Sequence, residues 1–208
     1  MGTTAFTDKA AKAQVAEAIR EIERATSAEV VVAVRAMSGR YRHTDYLVGF
    51  LFSFGALLVF LFDSHEFSID YMPLDSVLAF AIGAFFSASV PPLRRLLTSP
   101  RLRRESVRTA ARATFVELGI SKTSGRSGIL VYVSMFERTV EVVSDVGIDT
   151  AVLGPPFAKA IAALDDALHR GPSFPRFTEA LRALGPILSK TLPRLAGDIN
   201  ELPDEPHA

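Results

Sequence analysis

The sequence predicts a small α/β domain interrupted by a hydrophobic helical hairpin. Three observations carry that expectation. Two long uncharged stretches lie close together, three short β-branched runs are distributed around them, and amphipathic segments fill the intervals. The chain has 208 residues, enough for one domain of ordinary size plus an attachment.

The elements follow in order. Residues 7–25 repeat Ala11, Val15, Ile19 and Ile22 at helical spacing, with Lys, Glu and Arg between them. Residues 28–36 (AEVVVAVRA) form a nearly continuous β-branched run, the pattern of a strand buried on both faces. Ser38-Gly39 ends it. The two uncharged stretches are residues 46–62 and 76–93, bracketed by Asp45, Asp63, Asp75 and Arg94. A membrane-spanning helix needs about 17–25 apolar residues, and both stretches reach that length. Both are apolar all round, so each needs a nonaqueous surrounding on every side. A chain of this size has little spare core to supply one. Ala79, Gly83 and Ser87 form a small-residue ridge on the second stretch. Gly49 and Ser53 form a shorter one on the first, so the two helices can approach closely.

Charge predicts the orientation. Arg35, Arg40 and Arg42 precede the first stretch, and Arg94, Arg95, Arg101, Arg103 and Arg104 follow the second. The connector, residues 63–75, has no Lys or Arg. The positive-inside rule then places both flanks, and with them both termini, in the cytoplasm, with a short acidic connector outside. Tyr46 and Tyr71 stand where interfacial aromatics belong. Arg101, Arg104 and Arg108 are candidates for contact with anionic lipid headgroups.

Beyond the hairpin, residues 101–118 predict a helix with Val107, Ala111, Thr114, Phe115 and Leu118 on one face. Gly119 is its stop. Residues 128–136 (GILVYVSMF) predict a second buried strand. Glu137-Arg138 turns the chain, and residues 139–146 form a third strand antiparallel to the second. Helices are expected over 155–169 and 174–192, with Pro186 kinking or breaking the latter. Asp165-Asp166 read as a solvated face, and the terminal PDEPHA as disordered. The organisation is therefore a first domain segment (1–42), the hairpin (43–95), a second domain segment (96–192) and a tail (193–208). The helix between the first two strands makes them parallel, and the hairpin opens that crossover.

Composition excludes several chemistries. Lys+Arg and Asp+Glu both total 23, and this zero formal charge gives no footprint for nucleic acid. There is no cysteine, hence no disulfide, no cysteine-ligated zinc and no thiol nucleophile. Residues 1–24 carry charges throughout and do not read as a secretory signal. His43, His65, His169 and His207 have no ligand spacing among them. No nucleophile elbow, phosphate-cradling loop or dinucleotide fingerprint occurs.

The topology does bring three polar segments to one end of the sheet: residues 26–29, residues 121–128 and residues 145–149. Glu29, Asp145 and Asp149 are hard oxygen ligands of the kind that hold calcium or magnesium. Lys122 and Arg126 are suited to an anion such as phosphate. The plainer alternative is that Ser, Thr and Gly make caps and turns and that Asp145 pairs with Arg126. The hairpin departs from the opposite end of the sheet, so a site here is expected to face away from the bilayer.

The combination TSAEVVVAVR, FVELGISKTSGRSGILVYVS and RTVEVVSDVGI resembles the TPM-domain family over residues 8–170, with the hairpin as an insertion. The resemblance implies a three-layer α/β domain with a mixed sheet, often tethered to a membrane. It also implies one of three roles: accessory factor for a membrane complex, acid phosphatase, or calcium-binding module. The first, with another membrane protein as partner, is the expectation here, and calcium is the cofactor implied by the others. By motif, Glu29 and Asp145 carry over as the polar site. Many members have Gly-aromatic-Gly where this chain has Asp145-Val146-Gly147.

Overall fold

The computed structural model describes residues 8–64, 68–169, 171–194, 200–203 and 206–207. The chain divides into two units, Met1–Ser38 with Arg104–Ala208, and Gly39–Arg103.

The first unit is a mixed α/β fold. Helix α1 (Lys9–Glu23) precedes strand β1 (Glu29–Arg35). Strands β2 (Gly128–Ser134) and β3 (Thr139–Ser144) complete a sheet of order β1-β2-β3. β1 pairs parallel to β2 with Glu29 opposite Gly128, and β2 pairs antiparallel to β3 with Ile129 opposite Ser144. Alternation along the strands divides the core in two. Val30, Val32, Val34, Ile129, Val131 and Val133 pack against Ile19 and Ile22 of α1 and against the C-terminal helices. Val31, Ala33, Leu130 and Tyr132 meet Val107, Ala111 and Phe115 on the other face. The unit is thus three-layered, which explains why β1 and β2 are apolar without a break.

The helix carrying Val107 runs Pro100–Glu117. In chain order it is α5, after α2 (Arg42–Phe62), α3 (Met72–Ser89) and α4 (Pro91–Leu97). A short 3-10 turn, Ile120–Lys122, leads into β2. Helices α6 (Thr150–His169), α7 (Phe174–Arg182) and α8 (Leu184–Leu188) follow β3.

Several sequence expectations are sharpened or corrected. The helix expected over 155–169 is preceded within α6 by a short turn from Thr150, where the Asp149 carboxylate accepts the N–H groups of Ala151 and Val152. That turn breaks at Gly154 (φ 59°), and Pro155-Pro156 open the main helix. As expected from Pro186, the 174–192 helix breaks: it divides at Ala183, because the Pro186 ring would collide with the Arg182 carbonyl of a continuous helix, and it ends at Leu188 rather than 192. Asp165 is not simply solvated: its carboxylate accepts the Val140 N–H at 2.9 Å and caps the start of β3. The terminal residues are not uniformly disordered. Pro206 is buried and His207 bridges to Ala33 of β1, whereas Asp204, Glu205 and Ala208 lie outside the described residues.

In the second unit α2 and α3 pack on each other. The second apolar stretch is not one helix to Leu93. α3 begins at Met72 and ends at Ser89, since the residue before a proline avoids helical geometry, and α4 restarts at Pro91. Gly83 and Ser87 are buried, Ala79 is half-buried, and Gly49 is buried on the facing helix. A Cβ on Gly83 would lie 2.7 Å from the Cβ of Phe52, and one on Gly49 would lie 2.8 Å from the Phe80 carbonyl oxygen. Both positions therefore require glycine for close approach. Elsewhere the pair faces outward. Only 17% of the most apolar window of α2 and 11% of that of α3 are buried within the protein. Phe50, Phe54, Leu61, Val77, Ile82 and Phe85 are all exposed. His65 lies outside the described residues.

Where α2 begins, its charge is not left to solvent. Asp45 accepts the Ser87 hydroxyl at 3.0 Å and the Arg94 guanidinium at 2.8 Å, and both charged side chains are largely buried. Thr44 and Thr98 hydrogen-bond beside them.

Candidate functional site

The three polar segments meet at the amino ends of β1 and β2, as the topology requires. The Glu29 N–H donates to the Ser127 carbonyl, and the Asp145 N–H donates to the Gly128 carbonyl. The Ser127 hydroxyl donates to the Ser27 carbonyl at 2.9 Å, and the Thr123 hydroxyl accepts the Ser127 N–H. Gly147 is held against the loop so tightly that a Cβ there would lie 2.5 Å from the Gly125 carbonyl oxygen and 2.6 Å from that of Arg126. Those neighbours are backbone and cannot swing aside, so the glycine fixes the distance between the 121–128 loop and the end of β3.

The charged groups sort into separate pairings. Arg126, in left-handed backbone geometry (φ 50°), reaches Asp145 with two parallel bonds, Nε to Oδ2 at 2.8 Å and Nη2 to Oδ1 at 2.9 Å. Asp145 also accepts the Val146 N–H at 2.7 Å. The pairing of Arg126 with Asp145 that the plainer reading expected is therefore present, as a two-bond fork. Asp149 caps α6. Glu29 is buried and accepts the Glu201 and Leu202 N–H groups, each at 3.3 Å. The three nominated carboxylates thus have three different sets of partners. Among the described residues no group of three or more His, Asp or Glu side chains is arranged to hold a metal ion. Lys122 lines a recess together with Glu117, Leu118, Gly119, Thr123, Glu201 and Leu202.

Arg126 holds the Asp145 carboxyl below the ordinary carboxylate range, mainly through its hydrogen bonds. Burial opposes the shift, and the Val146 N–H reinforces it. The unfolded chain binds this proton more tightly than the native one. The pairing therefore contributes in full above the ordinary carboxylate value of about 4 and is lost as pH falls through the depressed native value. Asp145→Asn is expected to melt below the wild type at pH 7, with the gap closing on acidification. Far-UV circular dichroism melts across pH check this. A gap that stays constant to pH 2 would show that Asp145 does not work through its charge.

A second polar cluster lies at the carboxyl ends of β1 and β2, where sequence reasoning placed only a turn. Glu137 is buried and accepts the Ser38 N–H at 3.0 Å and the Ser134 hydroxyl. Because Ser134 donates to Glu137, the Ser38 hydroxyl must donate to Ser134 (2.7 Å), and the Tyr132 phenol must donate to Ser38 (3.0 Å). The four groups form a one-way chain of donors ending on a carboxylate. Burial pushes the Tyr132 phenol above its ordinary value. A turn reading Glu-Arg gave no signal of this. The available hint was four polar side chains (Ser38, Tyr132, Ser134 and Glu137) gathered at one end of two strands whose centres are apolar.

These features define an α/β protein with a three-stranded mixed sheet between helical layers. No family model matches the chain, and no curated protein matches it. Among solved structures it is similar to the NMR structure of the BA42 protein from the psychrophilic bacterium Bizionia argentinensis. The TM-score is 0.57 at 17% sequence identity, over 96% of this chain and 93% of that one. A likeness at that identity speaks to the fold.

Proposed function

We propose that α2 and α3 span a lipid bilayer and that the sheet-bearing unit is a TPM-like accessory module. In this reading it assembles, maintains or regulates a membrane complex by binding another membrane protein. The observation that carries the anchoring is the outward apolar surface of the hairpin. Two helices of membrane-spanning length leave Phe, Leu, Ile and Val side chains uncovered along them. A water-soluble monomer rarely exposes a contiguous apolar patch beyond a few hundred Å². In hydrocarbon that surface is at home, and each helix satisfies its own backbone. The arginines on both flanks favour a cytoplasmic sheet unit. Arg101 and Arg104 are exposed and follow the spans closely enough to meet anionic headgroups. Arg108 has Glu141 at 3.9 Å, which lessens its share.

Binding is favoured over catalysis by the commitments of the polar groups. Asp145 and Arg126 neutralise one another, Asp149 caps a helix, and Glu29 receives backbone N–H groups.

The cysteine-free sequence makes the orientation directly testable. Ser68→Cys in the connector is expected to react with a membrane-impermeant maleimide on intact cells. Thr109→Cys, exposed on α5, is expected to react only after permeabilisation. The reverse pattern would overturn the orientation, and release of the protein by alkaline carbonate would overturn the anchoring. Crosslinking and capture from detergent-solubilised membranes tests for the partner. Turnover of a phosphomonoester by purified protein, abolished by Asp145→Ala, would replace the accessory reading with a phosphatase.

A further inference from the structure

The C-terminal segment lies on the candidate site as a ligand would. The Glu201 carboxylate accepts both the N–H (2.9 Å) and the hydroxyl of Ser124. These two donors draw the Glu201 carboxyl below its ordinary range. The Glu201 and Leu202 N–H groups are held together by the Glu29 carboxylate. Leu202 packs against the smaller core cluster. Farther on, the His207 N–H donates to the Val32 carbonyl at 2.9 Å, and the Val34 N–H donates to the His207 carbonyl at 2.7 Å. His207 thereby pairs parallel to β1, on the edge that β2 leaves open.

Each anchor reads a different property of an extended chain. The β1 edge reads backbone. Glu29 chelates two successive main-chain N–H groups, which a proline at either position would remove. Ser124, through its N–H and hydroxyl, reads a carboxylate. The apolar step at Leu202 supplies a side-chain pocket. Addition of an extended peptide to a sheet edge, with pockets for selected side chains, is a general mode of peptide recognition. The occupant here is held by exposed polar contacts at Glu201 and two backbone bonds at His207. Tethering keeps it in place by raising its local concentration.

We propose that the outer edge of β1 and the Ser124 loop form a docking groove for an extended acidic peptide segment of a partner protein, and that residues 200–203 and 206–207 are a resident occupant which that segment displaces. The segment required has a Glu or Asp followed by a large apolar residue, with no proline at those two positions. This deepens the accessory-factor reading, on which it rests for the existence of a partner. The groove itself is testable in purified protein without one.

The probe is a fluorescein-labelled synthetic peptide, NELPDEPH, titrated against the full-length protein in detergent and followed by anisotropy. Glu201→Lys in the full chain removes the resident carboxylate and sets a cation beside Lys122. The peptide is expected to bind this variant at least about tenfold more tightly than wild type, because the competing tail is weakened. Adding Ser124→Asp to that variant abolishes the binding, and a peptide with Lys in place of its first Glu, the one corresponding to Glu201, does not bind. Equal affinity for wild type and Glu201→Lys, insensitivity to Ser124→Asp, or no binding to the variant would each overturn the proposal. A second measurement needs no variant. Hydrogen exchange of the wild-type tail, residues 200–207, is expected to rise with excess peptide while β2 stays protected. An unchanged tail would overturn displacement.

Discussion

Replacing Glu137 with alanine is expected to lower the melting temperature of the protein by roughly 6–12 °C, from about 3 kcal/mol of lost stability at roughly 2–4 °C per kcal/mol. The substitution removes the acceptor on which the donor chain from Tyr132 through Ser38 and Ser134 ends. It also strips the Ser38 N–H of its partner. Ser134 is fully buried and Tyr132 nearly so, hence water cannot step in freely. Leaving a buried donor unsatisfied costs about 1–3 kcal/mol, and more than one is orphaned here. Glu137→Gln keeps an acceptor oxygen and should recover part of the loss. Ser134→Ala in the alanine background should add little, because the interaction it reports is already gone. Circular dichroism melts of the two single variants and the double variant decide this. Additive losses would show that the groups are independent and that no chain exists.

The other large effect is expected in the hairpin. Asp45→Ala leaves Arg94 without its counter-charge in a site where the arginine side chain is only 14% exposed. Breaking a buried ion pair from one side costs about 3–5 kcal/mol, chiefly through the uncompensated charge that remains. Arg94→Ala should do comparable harm by isolating Asp45, and Ser87 would then be the only one of its two named donors remaining. The double variant is expected to be more stable than Asp45→Ala alone, since it removes the isolated charge with its cause. Thermal unfolding in one detergent, with far-UV circular dichroism as the readout, suits a chain without tryptophan. Single-variant losses that simply sum in the double variant would mean that Asp45 and Arg94 are neighbours without coupling.

The contrast between these predictions and the sequence explains what was legible. Ala11, Val15, Ile19 and Ile22 announced α1, and all four are buried. The β-branched runs announced the strands, and the intervening helix announced which pair would be parallel. Periodicity and β-propensity depend on near neighbours, so they survive without coordinates. Long-range polar partnerships do not. Glu137 in a Glu-Arg turn has the composition of a solvated corner, and only the fold places Ser38 beneath it. Asp45 looked like a boundary marker for an apolar stretch until Arg94 was brought against it. The convergence of Glu29, Arg126 and Asp145 was deducible from strand direction, but their allocation was not. Whether Arg126 serves a ligand or Asp145 depends on the left-handed turn at Arg126. The tail was the largest surprise, because PDEPHA has the composition of a disordered end. What orders His207 is the open edge of β1, a property of the sheet and not of the tail.

The place of the hairpin within the chain has a consequence in time. Ser27 and Ser127 are joined by a hydrogen bond across 100 positions of sequence. A ribosome adding about 5–20 residues per second releases β1 on the order of 5–20 s before β2 exists to pair with it. During that interval EVVVAVR is an uncharged-centred, β-prone segment with both edges open, the kind of segment that recruits other chains. Under the anchoring proposed above, delivery of α2 and α3 to the bilayer occupies the same interval. The hairpin is therefore also a clock, and anything that delays it lengthens the vulnerability of β1. Newly made protein should be far more aggregation-prone than mature protein, and a chaperone that shelters β1 would be needed most when the hairpin is slow.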